Sequence, residues 1–185
     1  MLTLHEGLIL YHGSYARVEH IDLDRCAPGK DFGRGFYLTT DYEQARSFVA
    51  LSIRKRKADT GEEVYGGYVS AFKVTAPHLL QFHAFEEADE DWLHFVAANR
   101  RNDLFPHVIA RYAGFDVIAG KIANDQTART LQLYVSEAFG EPGTEAADQL
   151  AAATLMPNRL SDQYCFRTPE AVRCLTFEGS DHYDG

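Results

Sequence analysis

The sequence is short of the residues that would build a disulfide scaffold, a membrane span or a nucleic-acid footprint. It has three cysteines in 185 residues, Cys26, Cys165 and Cys174, and no two stand at the close spacing of a zinc or redox motif. They read as small apolar filler of a reducing compartment. No apolar run approaches the roughly 18 residues that a bilayer-spanning helix needs. The run Leu8-Ile9-Leu10-Tyr11 is broken at once by His12-Gly13-Ser14, which is not the pattern of a signal peptide. Cations are scarce, with 18 basic residues against 27 acidic ones and a formal net charge of −9. That excludes a broad electrostatic grip on nucleic acid or anionic membrane. One local basic run remains, Arg54-Lys55-Arg56-Lys57, whose cations suit the last turns of a helix. The histidines other than His12 lack metal-ligand spacing, so no metal is expected. Neither repeats nor Pro/Ser-rich linkers divide the chain, and the expectation is one soluble, cytoplasmic domain over residues 1–185.

Periodicity outlines an α+β chain. Gly7–Tyr11 and Gly35–Thr39 have the short apolar pattern of strands, the second entered through the turn-forming Asp31-Phe32-Gly33-Arg34-Gly35. Thr40 and Glu43 form a capping box, with Ala45, Phe48, Val49 and Ile53 following at helical spacing. Tyr65–Val74 and His78–Phe82 read as strands. The acidic stretch Glu86–Asp91 then opens a helix carrying Trp92, Phe95 and Val96. Pro106 and Gly114 bracket another helix, and Phe115–Ala119 is a strand. Leu131, Tyr134, Val135 and Ala138 predict a helix closed by Gly140. Thr144 caps the next, which Pro157 ends. Gln163–Arg167 and Cys174–Phe177 are strands separated by a turn at Thr168-Pro169-Glu170. Strands at both ends thus surround a helical insert at about residues 86–157.

Three segments carry candidate chemistry: His12-Gly13-Ser14 at the end of a strand, Gly33-Arg34-Gly35-Phe36-Tyr37-Leu38, and Gln163-Tyr164-Cys165-Phe166. Each is weak alone. Gly33 and Gly35 lack the third glycine of a dinucleotide fingerprint.

In this order the three segments resemble the catalytic domain of the ADP-ribosyltransferase superfamily, on the His-Tyr-Glu branch that includes poly-ADP-ribose polymerases and diphtheria toxin. The closer likeness is to a bacterial family of that superfamily, known as a domain of unknown function and often encoded beside a small partner as the toxin of a toxin–antitoxin pair. It covers most of the chain, including Asp41–Ala50, Trp92–Arg100 and Gly120–Asp125. The resemblance implies split, mainly antiparallel sheets around an NAD cleft with flanking helices. It also implies mono-ADP-ribosyl transfer from NAD to a macromolecular acceptor, and a small antitoxin partner. The net charge favours a protein acceptor, and the basic run keeps RNA or DNA open.

By the same resemblance, His12 bonds a ribose hydroxyl of NAD and the backbone of Gly13 grips the nicotinamide carboxamide. Ser14 and Gly35 belong to the same NAD-binding segments, and Tyr37 stacks on the nicotinamide. Phe48 falls where a second stacking aromatic is found, although core packing of an amphipathic helix would also explain it. Ala45 replaces a carboxamide-binding serine.

Gln163 stands where the family pattern has glutamate. An amide still donates and accepts hydrogen bonds, but it has no charge and cannot act as a base. Polymer formation is therefore not expected, and glutamate at position 163 is expected to raise NAD cleavage. Strand alternation aims Asp162 at the opposite face from Gln163. By the family resemblance Asp125 is the candidate auxiliary acid, although a plain surface loop carboxylate would also explain it. The alternatives are a degenerate NAD- or ADP-ribose-binding module and an NAD glycohydrolase.

Overall fold

The computed structural model describes residues 1–122, 125–155 and 161–184, and for residues 125 and 126 the backbone alone. In chain order the elements are β1 (Ile9–Ser14), β2 (Phe36–Leu38), α1 (Tyr42–Thr60), β3 (Gly66–Val74), β4 (Phe82–Ala84), α2 (Glu90–Arg100), α3 (Pro106–Tyr112), β5 (Val117–Lys121), α4 (Asp125–Val135), α5 (Glu145–Thr154), β6 (Asp162–Phe166), α6 (Pro169–Arg173) and β7 (Leu175–Asp184). They form two sheets. One is antiparallel in the order β1-β3-β7, and the other runs β2-β6-β5-β4 with its β4–β5 pair parallel. The chain is α+β, with sheets that are mainly antiparallel.

Alternation along the strands decides which layer each residue joins. Leu10, Phe72 and Val74 of the first sheet meet Phe36, Leu38, Val117, Tyr164 and Phe166 of the second in one buried cluster between the sheets. Tyr11 and Val69 point the other way, onto Ala45 and Val49 of α1. On the far face of the second sheet, Ile118 and Cys165 pack under Phe32, Trp92, Phe95, Leu131 and Tyr134. Each fully buried large side chain in these layers contributes roughly 1.5–3 kcal/mol of transfer free energy. The sheets are joined directly at a bridge, where Tyr11 and Thr39 exchange backbone hydrogen bonds of 2.8 and 3.0 Å.

Several boundaries differ from those expected. β1 continues through Ser14, because His12, Gly13 and Ser14 pair with Ser70, Val69 and Tyr68. The cap of α1 is Asp41 and not the Thr40 of the expected capping box: the Asp41 carboxylate accepts from Gln44 N at 3.1 Å, and the helix starts at Tyr42. Pro77 starts a single 3₁₀ turn, Pro77–Leu79, which delays the next strand to Phe82. Thr168 caps a short helix rather than a turn, accepting from Ala171 N at 3.1 Å. β7 runs on to Asp184 without apolar alternation, because β3 offers it partners as far as Gly66. α4 ends at Val135, whose carbonyl accepts from Arg101 Nη1 at 2.6 Å, before Gly140 is reached. Pro157 lies outside the described residues.

Charge groups expected to be structural are so placed. Asp89 caps α2 by accepting from Trp92 N at 2.9 Å, and Arg56 and Lys57 pair with Glu62 and Glu63 just beyond α1. Residues 86–157 hold α2, α3, α4 and α5, together with β5, which lies between β4 and β6. No helix among the described residues is long and apolar enough to cross a membrane.

Candidate active site

β1 and β2 belong to different sheets and meet at the isolated Tyr11–Thr39 bridge, with His12 next to it in β1. Its Nδ1 lies 2.8 Å from the carbonyl oxygen of Tyr37. A carbonyl only accepts, so Nδ1 carries the proton and Nε2 of the neutral ring is the acceptor. The imidazole packs on Phe36 with centroids 4.4 Å apart. Burial lowers its pKa below the ordinary value, with the Tyr37 carbonyl opposing more weakly. A neutral, oriented imidazole with one acceptor nitrogen is suited to taking a hydrogen bond from a hydroxyl.

Gly13 is explained by packing. A β-carbon there would lie 1.8 Å from the Ala45 carbonyl oxygen and 3.2 Å from Phe48 Cβ. Its bare main chain therefore admits α1. Phe48 stands beside it, half-buried and outside the three apolar clusters of the described residues. Ser14 Oγ accepts from Ala16 N at 3.3 Å and shapes the exit from β1. Gly35 is likewise a close approach, since a β-carbon would come within 2.4 Å of Cys165 Sγ.

Tyr37 pairs directly with Cys165 on β6, so the two share a sheet face, and Gln163 lies two residues further along that face. The Tyr37 hydroxyl donates to Gly33 O at 2.8 Å and accepts from Phe32 N at 2.9 Å, which ties down the turn before β2. Burial first, then the Cys165 thiol, hold the phenol far above its ordinary pKa. The Cys165 thiol is itself pushed up to about 12 by burial.

Gln163 is 8% exposed. Its Nε2 donates to Asp31 Oδ2 at 3.3 Å and to Lys121 O at 3.4 Å. Asp31 in turn accepts from Arg100 Nε and Nη2 at 3.0 and 2.6 Å on its other oxygen. Asp162 does face the opposite way, onto Lys121 Nζ at 2.8 Å. Asp125 begins α4, and its side chain lies outside the described residues. Sequence reasoning missed Asp31 and Arg100. The available signal was weak, because Asp31 was accounted for by its turn and Arg100 entered only as the end of the Trp92–Arg100 segment of family likeness.

Arg100 also lines an open cleft of about 540 Å³ with Ala128, Arg129, Gln132 and Val135. A second cluster lies elsewhere: Glu90, His94 and Asp148 bring three ligand atoms within 4.8 Å of one another. Both Asp148 oxygens already serve the protein. Tyr134 Oη and Gly143 N (3.1 Å) donate to one, and His94 Nε2 sits 2.9 Å from the other. That network ties α2, α4 and α5 together.

The three motifs are thus connected in space. His12 is bonded to the main chain of Tyr37, and Tyr37 shares its face with Gln163, which is held by Asp31. No curated protein matches the chain. A family model described as a protein of unknown function (DUF3990) matches residues 8–177, and the chain belongs to that family.

Proposed function

We propose that the protein is a mono-ADP-ribosyltransferase that transfers one ADP-ribose from NAD to a macromolecular acceptor. The observation that carries this reading is the linkage of three sequence-distant motifs beside the bridge that joins the two sheets. Those motifs resemble the NAD-binding segments of the ADP-ribosyltransferase superfamily. In the reaction, the bond between C1′ of the ribose and the nicotinamide nitrogen breaks, and neutral nicotinamide leaves with the electron pair. The ribose carbon develops oxocarbenium character, the acceptor nucleophile adds to it, and the nucleophile's proton passes to solvent.

His12 Nε2 accepts from a ribose hydroxyl and fixes the sugar relative to the leaving group. The Tyr37 ring offers an aromatic face to nicotinamide, with Phe48 as the second aromatic wall. Gln163 supplies a polar contact to the nicotinamide ribose without a charge. The acceptor is a protein or a nucleic acid, and a small antitoxin partner of cytoplasmic origin fits the family resemblance.

Labelled NAD incubated with the protein and a cell extract tests the reading. Label on protein or nucleic acid, together with free nicotinamide, is expected. Nicotinamide without labelled macromolecules would make the protein a glycohydrolase, and binding without nicotinamide release would leave a binding module. His12→Ala is expected to lower turnover by about a hundredfold, and wild-type turnover in that variant would remove His12 from the site.

A further inference from the structure

We infer that Asp31, gripped by Arg100, is a positioning residue that decides which way the Gln163 amide faces and so presents Gln163 Oε1 to the substrate ribose. The inference rests on the transferase reading above and adds a residue to its machinery.

The argument begins with the chemistry of an amide. A carboxylate at position 163 would offer an acceptor oxygen whichever way its head group turned. A glutamine has one accepting end and one donating end, and only one orientation presents the oxygen. Something beside it must choose. Among the described residues, Nε2 reaches the Asp31 carboxylate at 3.3 Å and the Lys121 carbonyl at 3.4 Å. Both are acceptors, so both select the NH₂ end and leave Oε1 as the accepting end.

The carboxylate that makes this choice is itself held. Arg100 places Nε and Nη2 on Asp31 Oδ1 at 3.0 and 2.6 Å, in a site where the side chains are 24% and 13% exposed. The Tyr37 hydroxyl fixes the same turn at Phe32 and Gly33. The turn is therefore anchored by α2, β2 and β6 at once, as preorganisation of a polar contact requires.

This geometry reverses the sign expected from sequence for Gln163→Glu. A second carboxylate would face Asp31 Oδ2 with no proton between them, and turnover should fall. Asp31→Asn should also reduce turnover. Arg100 would retain the one remaining oxygen of that amide, so its NH₂ would face Gln163 and turn Oε1 away from the ribose. The double variant Asp31→Asn/Gln163→Glu restores a donor–acceptor pair with its sense reversed.

Nicotinamide release and thermal unfolding are measured for the full chain and these three variants. Each single variant is expected to lose about tenfold to a hundredfold in kcat with KM changed far less. The double variant is expected to return to within about threefold of wild type, a reversal that a purely structural role for Asp31 would not produce. Wild-type kcat in folded Asp31→Asn, or a double variant no faster than folded Gln163→Glu, would overturn the positioning role and leave the transferase reading standing. Absence of nicotinamide release from the wild type would overturn both. Should Asp31→Asn fail to fold, the Gln163→Glu and double-variant pair still decides.

Discussion

The two ends of the site are held in different ways. At the His12 end, the main chain does the positioning: a carbonyl orients the imidazole, strand pairing fixes Gly13, and a helix backbone fills the space that a β-carbon would take. At the Gln163 end, side chains do it, through an ion pair between a turn and α2 and an amide bonded to that pair. Main-chain positioning tolerates almost no added volume. Side-chain positioning tolerates volume but depends on keeping each donor matched to its acceptor.

Substitutions at each end should separate these two kinds of sensitivity. The largest effect is expected from Gly13→Ala, because a backbone oxygen 1.8 Å away cannot rotate aside. A loss of about 3 kcal/mol would lower the melting temperature by about 6–12 °C, and a loss of under a degree would show that α1 is not closely seated on β1. Arg100→Leu comes next. It leaves the Asp31 carboxylate without its ion-pair partner and should cost about 2 kcal/mol, with turnover falling as well. An unfolding midpoint equal to wild type would remove the ion pair from the account of this end.

Tyr37→Phe keeps the ring but loses both hydroxyl bonds to the turn, for about 1 kcal/mol and a several-fold fall in turnover. If turnover and melting both match wild type, the phenol does not anchor the turn. The smallest effect concerns pH. The His12 pKa is lowered in the folded chain from its ordinary 6.5, so the unfolded chain takes up a proton first as pH falls. The stability contributed by neutral His12 is thus present above about 6.5 and lost as pH falls from there to the lower folded value. His83 shifts in the same direction, so His12→Asn should flatten only part of the melting-temperature slope between about pH 7 and about pH 5. An unchanged slope would mean that His12 does not titrate in this window.

The same contrast governs how much was legible in the sequence. The strand order, the longer helices and the aim of Asp162 follow from local pattern, because each depends on alternation or helical spacing within a few residues, whereas the His12 and Tyr37 segments stood out through their resemblance to a family. The Gln163 end depends on partners 69 and 132 residues apart in the chain, and no local pattern encodes such a match. Asp31 had a sufficient explanation in its turn, so nothing drew attention to its second role. β7 was cut short at Phe177 for a related reason: its last residues are polar, and their extended form is imposed by β3. Gly13 was legible as a position, but its close approach to Ala45 was not, since α1 begins almost thirty residues later.

Cys165 gives this arrangement a kinetic signature. Its thiol is buried against Gly35 and Tyr37, and its pKa of about 12 leaves almost no thiolate at neutral pH. Alkylating reagents act on the thiolate of an accessible sulfur, so Cys165 can react only when the layer of Phe32, Trp92 and Phe95 that covers it, or the Gly35 segment beside it, moves away. Its labelling rate therefore reports how often the covered face shared by Tyr37 and Gln163 is laid open, with no substrate in hand.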